Sequence, residues 1–128
     1  MTGLKYDTEK PPMALMSGVA LAELSKVLAC GAAKYAADDW RGGIPYRRLL
    51  SATLRHVLAY NDGEDTDPET GLSHCAHAMC CLMFLLEQER TRPDLDDRYV
   101  VPEPPTERRT RTETPPADPD YGQAGKRG

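Results

Sequence analysis

The sequence predicts a small all-α protein, an antiparallel helical bundle that is completed by homo-oligomerisation. Apolar residues recur with a helical period in three segments of residues 13–92. Residues that start or stop helices, namely Pro45, Gly63 and Ser73, separate these segments. The C-terminal part of the chain is not expected to belong to the bundle, because seven of the eleven prolines fall in residues 93–128.

The expected domain covers residues 1–92, and residues 93–128 are expected to form a disordered tail. That tail contains eight acidic and six basic residues and few apolar ones. Such a composition cannot offset the entropy lost on ordering the chain. A domain of the remaining size is only marginally stable alone, so packing against further copies is expected.

The first helix is expected from about Met13 to Cys30, after an irregular arm that ends in two prolines. Its predicted core stripe, at helical spacing, is Met16, Val19, Ala20, Val27 and Cys30. Glu23 lies inside this stripe, where a carboxylate needs a partner. Two interpretations stay open: a catalytic task, or a structural ion pair with one of the nearby cations Lys26, Lys34 and Arg55.

The second helix is expected from Pro45, a residue suited to the first helical position, to about Asp62, with Gly63 as its stop. Its predicted core stripe is Leu50, Leu54, Val57 and Leu58. His56 lies beside that stripe, on the neighbouring row of the same helix.

The third helix is expected to follow the N-cap Ser73 and to end near Arg92. Between Cys75 and Leu86 it is apolar almost all round, which predicts a helix enclosed on every side. Two other helices of one chain can hardly enclose it. We therefore expect a homodimer or homotetramer with this helix at its centre.

The overall charge and hydropathy exclude some classes of function. A net charge of −4 argues against stable nucleic-acid binding, which normally needs a basic surface. It is compatible with a compact anionic ligand held through a metal ion. The sequence has no apolar run long enough to cross a membrane and no signal peptide, so we expect a cytoplasmic protein, in the host cytoplasm if it is viral.

All three histidines of the chain lie between residues 56 and 77, around an acidic connection. His74 and His77 share one face of the third helix because they are three residues apart. His56 is expected opposite them across an antiparallel hairpin. The predicted metal ligands are His56, Glu64, Asp67, His74 and His77. In the alternative, the histidines at the helix start bond to loop carboxylates without a metal.

A mixed set of carboxylates and imidazoles suits a divalent cation, and Mg²⁺ or Mn²⁺ is expected. Such an ion could bind phosphate oxygens and activate water, which Glu23 or Glu64 could orient or deprotonate. The predicted substrate-binding residues are Lys34, Tyr35, Trp40 and Arg55, which offer cations for phosphate and aromatic faces for a base. Core burial for Trp40 and surface pairing for Arg55 are equally open. The sequence has no glycine-rich phosphate loop.

Several short stretches, taken in order, resemble a phage family of dATP/dGTP diphosphohydrolases, which includes MazZ proteins and is related to MazG-like all-α nucleotide pyrophosphohydrolases. They are Lys5-Tyr-Asp, Ala20-Leu-Ala-Glu-Leu-Ser-Lys-Val-Leu, Gly31-Ala-Ala-Lys-Tyr, Trp40-Arg41, Leu54-Arg-His, Gly63-Glu-Asp, Asp67-Pro-Glu-Thr-Gly and His74-Cys-Ala-His-Ala. Where MazG-like enzymes carry ExxD on a helix, this chain has His74 and His77.

The resemblance implies a helical bundle that forms a dimer or tetramer, dependence on Mg²⁺ or Mn²⁺, and release of pyrophosphate from dGTP or dATP during remodelling of a phage nucleotide pool. Two alternatives remain open. One is an HD-type phosphohydrolase, although no histidine here is followed by aspartate. The other is a non-catalytic adaptor that binds a metal or a nucleotide.

Overall fold

A computed structural model of the chain describes residues 3–104. Within these residues the chain folds into three α-helices, α1 (Gly18–Lys34), α2 (Tyr46–Asn61) and α3 (His74–Thr91). Short 3₁₀ segments lie at Met13–Leu15, Asp39–Gly42 and Pro93–Leu95. The described residues contain no strand, and their one β-bridge joins Thr66 to Ser73. The predicted all-α fold class is confirmed.

The chain divides into two compact units, Met1–Arg98 and Tyr99–Gly128. The first contains all the helices named above. In the second, only Tyr99–Pro104 is described, and it has no regular secondary structure. The predicted disorder of the tail concerns residues that mostly lie outside the described part, so it stays a prediction, as does oligomerisation. No helix in the described residues has both the length and the apolar character needed to cross a bilayer.

Local capping determines where the helices begin. Ser73 is the N-cap of α3, as predicted, and its hydroxyl accepts a hydrogen bond of 3.1 Å from the Cys75 N–H. The first helix begins later than predicted because Ser17, whose hydroxyl accepts from the Ala20 N–H, supplies its cap. Pro45 is the N-cap of α2 rather than its first helical residue.

The core lies where α3 packs against both other helices. Leu24 and Val27 of α1 are buried together with Ala76 and Cys80 of α3. Burial raises the pKa of the Cys80 thiol to about 12, so this cysteine is a small neutral core residue. The helix predicted to be central is central already within one chain.

The predicted core stripe of α2 is wrong for the chain by itself. Leu54, Val57 and Leu58 are 58%, 48% and 58% exposed. The buried side of α2 is instead the row of Tyr46, Leu49 and Thr53, and half-buried His56 extends it. Residues of that row hydrogen-bond to α3, through the Tyr46 hydroxyl and the His56 ring. These polar contacts bury this face of α2, although the opposite face carries more leucines.

The predicted stripe of α1 is also only partly buried. Val27 belongs to the core, but Met16 and Val19 are 53% and 78% exposed, and Cys30 is exposed as well. Met16 lies before the helix starts, and Leu24, which the predicted stripe omitted, is buried instead. Because α1 starts later than predicted and buries a different face, the apolar side chains of Met16 and Val19 remain exposed.

Gln88 connects α3 to the segment that leads into α2. It is 1% exposed. Its Oε1 accepts a 2.8 Å hydrogen bond from the Ile44 N–H, and its Nε2 donates one of 2.8 Å to the Ile44 carbonyl. The Tyr46 hydroxyl donates to the Gln88 carbonyl at 2.9 Å. These three bonds fix the first turn of α2 on α3.

Residues 93–98 contact the same region, beyond the boundary at residue 92 that proline content suggested. Asp97 caps α2 from a distance, because its Oδ1 accepts a 2.8 Å hydrogen bond from the Arg47 N–H. Arg92 donates to the Gly42 carbonyl. Gly43 has φ +109°, and a Cβ there would lie 2.5 Å from the Leu95 side chain. Glycine is therefore required at this crossing.

Substituting Asp97 by alanine should destabilise the unit by about 1 kcal/mol, the usual cost of losing an N-terminal cap. The free energy of unfolding from urea denaturation measures this loss. Asp97→Asn keeps an acceptor oxygen and should retain most of the stability. Wild-type stability in Asp97→Ala would show that the carboxylate does not act as a cap.

Candidate functional site

Two histidines from different helices touch directly. His56 of α2 and His74 of α3 place their Nδ1 atoms 2.8 Å apart. The Nε2 of His74 lies 2.6 Å from the Oε1 of Glu64, in the connection between the helices. Asp67 of the same connection brings its Oδ2 to 3.9 Å from the His56 Nδ1. The predicted convergence of imidazoles and carboxylates at the α2–α3 seam is therefore present in the structure.

The loop that carries the carboxylates is held in place by its own backbone. The Asp67 N–H donates to the Leu72 carbonyl at 2.8 Å, and the Gly71 N–H donates to the Asp67 carbonyl at 2.7 Å. The Oδ1 of Asp67 accepts from the Glu69 N–H at 2.7 Å, which leaves Oδ2 to face His56. The His74 N–H donates to the Asp65 carbonyl at 3.1 Å. The loop thus presents one oxygen of Asp67 to the histidines.

The hydrogen bonds define which ring nitrogens carry protons. A carboxylate oxygen only accepts, so the His74 Nε2 donates to Glu64. In the neutral form of His74, Nδ1 is then unprotonated, and it accepts from the Nδ1–H of His56. A cation held by both Nδ1 atoms would replace this proton, and His56 would then carry its proton on Nε2. Burial lowers the pKa of His56, and the charge of a protonated His77 would lower it further. Burial therefore favours the neutral form of His56, the form in which histidine binds metals.

The spacing of the donor atoms fits a divalent cation. Ligand bonds of about 2.1 Å place two donor atoms about 3.0 Å apart at right angles and about 4.2 Å apart on opposite sides. The observed separations of 2.8 Å and 3.9 Å lie close to this range. One atom each from His56, Asp67 and His74 lies within 4.8 Å of the others. We call these three residues the histidine–aspartate cluster.

Glu64 and His77, also predicted as metal ligands, contact the cluster without belonging to it. Glu64 bonds to the ring nitrogen of His74 that faces away from His56, the usual arrangement for a carboxylate that orients a ligating histidine. His77 stacks on His56, with ring centroids 4.6 Å apart and an angle of 6° between the planes. Its Nε2 lies 2.7 Å from the Thr70 Oγ1.

Glu23, the second predicted catalytic carboxylate, forms an ion pair with Lys26. The Lys26 Nζ lies 2.7 Å from the Glu23 Oε1, and the Glu23 side chain is 39% exposed. This corresponds to the structural interpretation of Glu23. No contact between Glu23 and the histidine–aspartate cluster is present in the described residues.

The predicted substrate-binding residues lie in three places. Lys34 and Tyr35 end α1, where the Lys34 Nζ is 5.2 Å from the Tyr35 ring centroid and 3.9 Å from a carboxylate oxygen of Glu69 in the acidic loop. Trp40 stacks on Phe84 of α3, with centroids 4.3 Å apart and an interplanar angle of 15°. Arg55 precedes His56 on the exposed side of α2.

The contacts of Trp40 distinguish between core packing and base stacking, the two roles expected for this residue. Phe84 covers one face of the indole, and the Arg41 guanidinium lies 4.6 Å from the ring centroid. Arg41 is itself held by Glu87 through two hydrogen bonds of 2.7 and 2.8 Å. These contacts give Trp40 a packing role, since base stacking needs an uncovered face.

Sequence reasoning missed Thr70, whose hydroxyl holds His77 and also accepts from the Leu72 N–H at 3.2 Å. The site residues predicted for the acidic loop are its carboxylates alone. The signal was available, because a threonine just before Gly71 in a tight turn has a hydroxyl placed to bond to the first turn of the next helix.

Comparison with known proteins identifies a family for this chain. Residues 1–98 match the family model described as the N-terminal part of dATP/dGTP diphosphohydrolase. Over 98 residues the chain is 44% identical to a protein of Salmonella phage PMBT28 named dATP/dGTP diphosphohydrolase.

That match covers 77% of this chain and 33% of the phage protein, so the chain spans about a third of the length of the curated relative it matches. No solved structure matches the chain. The matched region contains all three helices and the whole histidine–aspartate cluster. By this match over residues 1–98, the chain belongs to the dATP/dGTP diphosphohydrolase family.

Proposed function

We propose that this chain carries out metal-dependent hydrolysis of purine deoxynucleoside triphosphates, dGTP or dATP or both, to a monophosphate and pyrophosphate, and so remodels a phage nucleotide pool. The observation that carries the proposal is the histidine–aspartate cluster, three donor atoms within 4.8 Å on elements of the matched region. The name of the phage relative supports the choice of substrate.

The cluster would hold a Mg²⁺ or Mn²⁺ ion, which when bound supplies charge for phosphate oxygens and lowers the pKa of a bound water. His56, His74 and Asp67 are the proposed ligands. Glu64 orients His74, and Thr70 together with the stacked His56 ring orients His77. His77 is thereby held against the His56 ring and the acidic loop.

Glu64 is better placed than Glu23 to accept a proton from water. It already contacts the cluster through Oε1, and its side chain is 53% exposed, so its second oxygen can meet solvent and substrate. A carboxylate at this position can act as a general base. Lys34, Tyr35 and Arg55 are the proposed contacts to the nucleotide, because they lie near the acidic loop or beside His56.

We also propose that the active form is a homodimer or homotetramer. Leu54 and Leu58 of α2 are each 58% exposed, and Leu82 and Leu86 of α3 are 47% and 67% exposed. Apolar rows of this kind on a small domain are typical of surfaces that another copy covers. The molar mass from sedimentation equilibrium tests this directly, and a monomer at micromolar concentration would contradict it.

Product analysis tests the proposed reaction. The purified chain is incubated with each of the common nucleoside and deoxynucleoside triphosphates and Mn²⁺, and the products are separated by anion-exchange chromatography. We expect dGMP or dAMP with pyrophosphate, and no turnover once EDTA removes the metal. Release of a nucleoside and triphosphate would indicate the HD-type reaction instead. Complete absence of turnover would favour the adaptor.

A further inference from the structure

A row of arginines lies on the exposed side of α2. Arg47, Arg48 and Arg55, with Ser51 between them, line a shallow groove of about 330 Å³. We call it the arginine groove. All four side chains are exposed. The groove contains none of the proposed metal ligands, and three of its four residues have no place in the function proposed above.

No ion pair within residues 3–104 neutralises the charge in this groove. The ion pairs that lysine and arginine form in the described residues involve Lys26, Lys34, Arg41, Arg92 and Arg98, and none involves an arginine of the groove. Asp97 bonds to Arg47 only through the backbone N–H. Three like charges are thus gathered on one face of a helix, in a chain of net charge −4, and no acidic side chain of the described part pairs with them.

Gathering like charges on one helix face is unfavourable unless an anion completes the surface. Guanidinium groups bind phosphate through paired hydrogen bonds, which a lysine ammonium cannot reproduce. The Ser51 hydroxyl adds a neutral donor in the middle of the row. The volume of the groove lies at the low end of small-molecule sites, which suits a short chain of phosphates.

One end of the groove lies level with the histidine–aspartate cluster along α2, although the two occupy different faces of the helix. Arg47 and Arg55 are separated by about 12 Å along the helix axis, and the residue after Arg55 is His56. Adjacent side chains of a helix point about 100° apart, so an anion at Arg55 would have to pass round the helix to reach the cluster.

We propose that the arginine groove binds a polyphosphate chain, either the phosphate tail of a nucleotide or free pyrophosphate. Its use during turnover rests on the proposed hydrolase function, but the binding itself does not. Bound in this way, the phosphates farthest from the sugar lie along α2, and the rest of the chain passes round the helix from Arg55 toward His56. The arginines then hold the part of the substrate that leaves.

Calorimetric titration of the full chain with inorganic triphosphate, in EDTA and at low salt, tests the binding. The double variant Arg47→Gln, Arg48→Gln should bind at least about tenfold more weakly, a loss near 1.4 kcal/mol. Arg90→Gln, an exposed arginine of α3 outside the groove, should bind like the wild type. Equal binding by the double variant and the wild type would overturn the proposal, as would an equal loss in Arg90→Gln.

Parallel titrations separate the two sources of phosphate. If the groove holds the tail of a nucleotide, the double variant weakens dGTP binding as much as triphosphate binding. If it holds only the free product, pyrophosphate binding weakens and dGTP binding does not. Because these titrations contain no metal, they report on the groove even if the chain proves not to hydrolyse any triphosphate.

A single variant tests the groove even if the double variant does not fold. Arg48→Gln leaves the Arg47 backbone cap untouched and should weaken triphosphate binding by about threefold, the scale of one exposed charge contact. Thermal melting followed by circular dichroism confirms that each variant is folded. A folded Arg48→Gln chain with wild-type affinity for triphosphate counts against the groove.

Discussion

Replacing His74 by alanine is expected to lower kcat/KM for dGTP or dATP hydrolysis at fixed Mn²⁺ by at least about tenfold, through lost metal affinity. The His74 ring is at once a proposed ligand, the hydrogen-bond partner of His56 and the group that Glu64 holds. Titrating Mn²⁺ into the reaction separates affinity from turnover. We expect the activity of the variant to rise with Mn²⁺ concentrations that already saturate the wild type.

The matched control for this variant is Cys75→Ala, which changes the next residue of α3 on its exposed side. It should keep wild-type turnover and metal affinity. His74 is 4% exposed, so its removal also costs stability, and melting curves must show that the variant remains folded under assay conditions. Wild-type hydrolysis and an unchanged Mn²⁺ requirement in folded His74→Ala would remove His74 from the site.

Replacing Gln88 by alanine is expected to destabilise the helical unit by about 2–4 kcal/mol. The change leaves a cavity and removes both hydrogen bonds to Ile44, whose backbone groups then lose their partner. Small domains have about 5–15 kcal/mol of stability in total, so this is a large fraction. The free energy of unfolding from urea denaturation measures it.

Glu89→Ala is the control for Gln88, because Glu89 is the next residue and is exposed. Its stability should stay within about 0.5 kcal/mol of the wild type. Gln88→Glu keeps an oxygen for the Ile44 N–H but places its second oxygen against the Ile44 carbonyl. Its free energy of unfolding should therefore fall between those of Glu89→Ala and Gln88→Ala. A loss below about 1 kcal/mol in Gln88→Ala would show that the first turn of α2 is held by other contacts.

The existence of the three helices followed from local signals. Ser73 and Pro45 mark helix starts, and the apolar rows repeat at helical spacing, so each element could be predicted without knowing its neighbours. The orientation of α2 could not. Two rows compete on that helix, and the more apolar row of Leu54 and Leu58 points to solvent within one chain. Polar contacts to α3 determine which of the two rows is buried, and these contacts depend on residues far away in the sequence.

The candidate site divides in the same way. Spacing alone brought His74 and His77 to one face and placed His56 opposite, and the structure has these rings in contact. Sequence spacing could not show that Glu64 lies behind His74, nor that Thr70 holds His77. Both depend on the path of the acidic loop, which backbone hydrogen bonds and the Thr66–Ser73 bridge determine.

The position of His56 and the arginine groove on one helix has a consequence for how this protein tolerates change. A straight helix fixes the angle between any two of its residues at about 100° per position. Inserting a single residue between Arg48 and Arg55 would rotate Arg47 and Arg48 by that angle relative to His56 and shift them along the axis. The angle between these arginines and His56 would then differ from the present one, although every side chain that serves phosphate or metal binding would still be present.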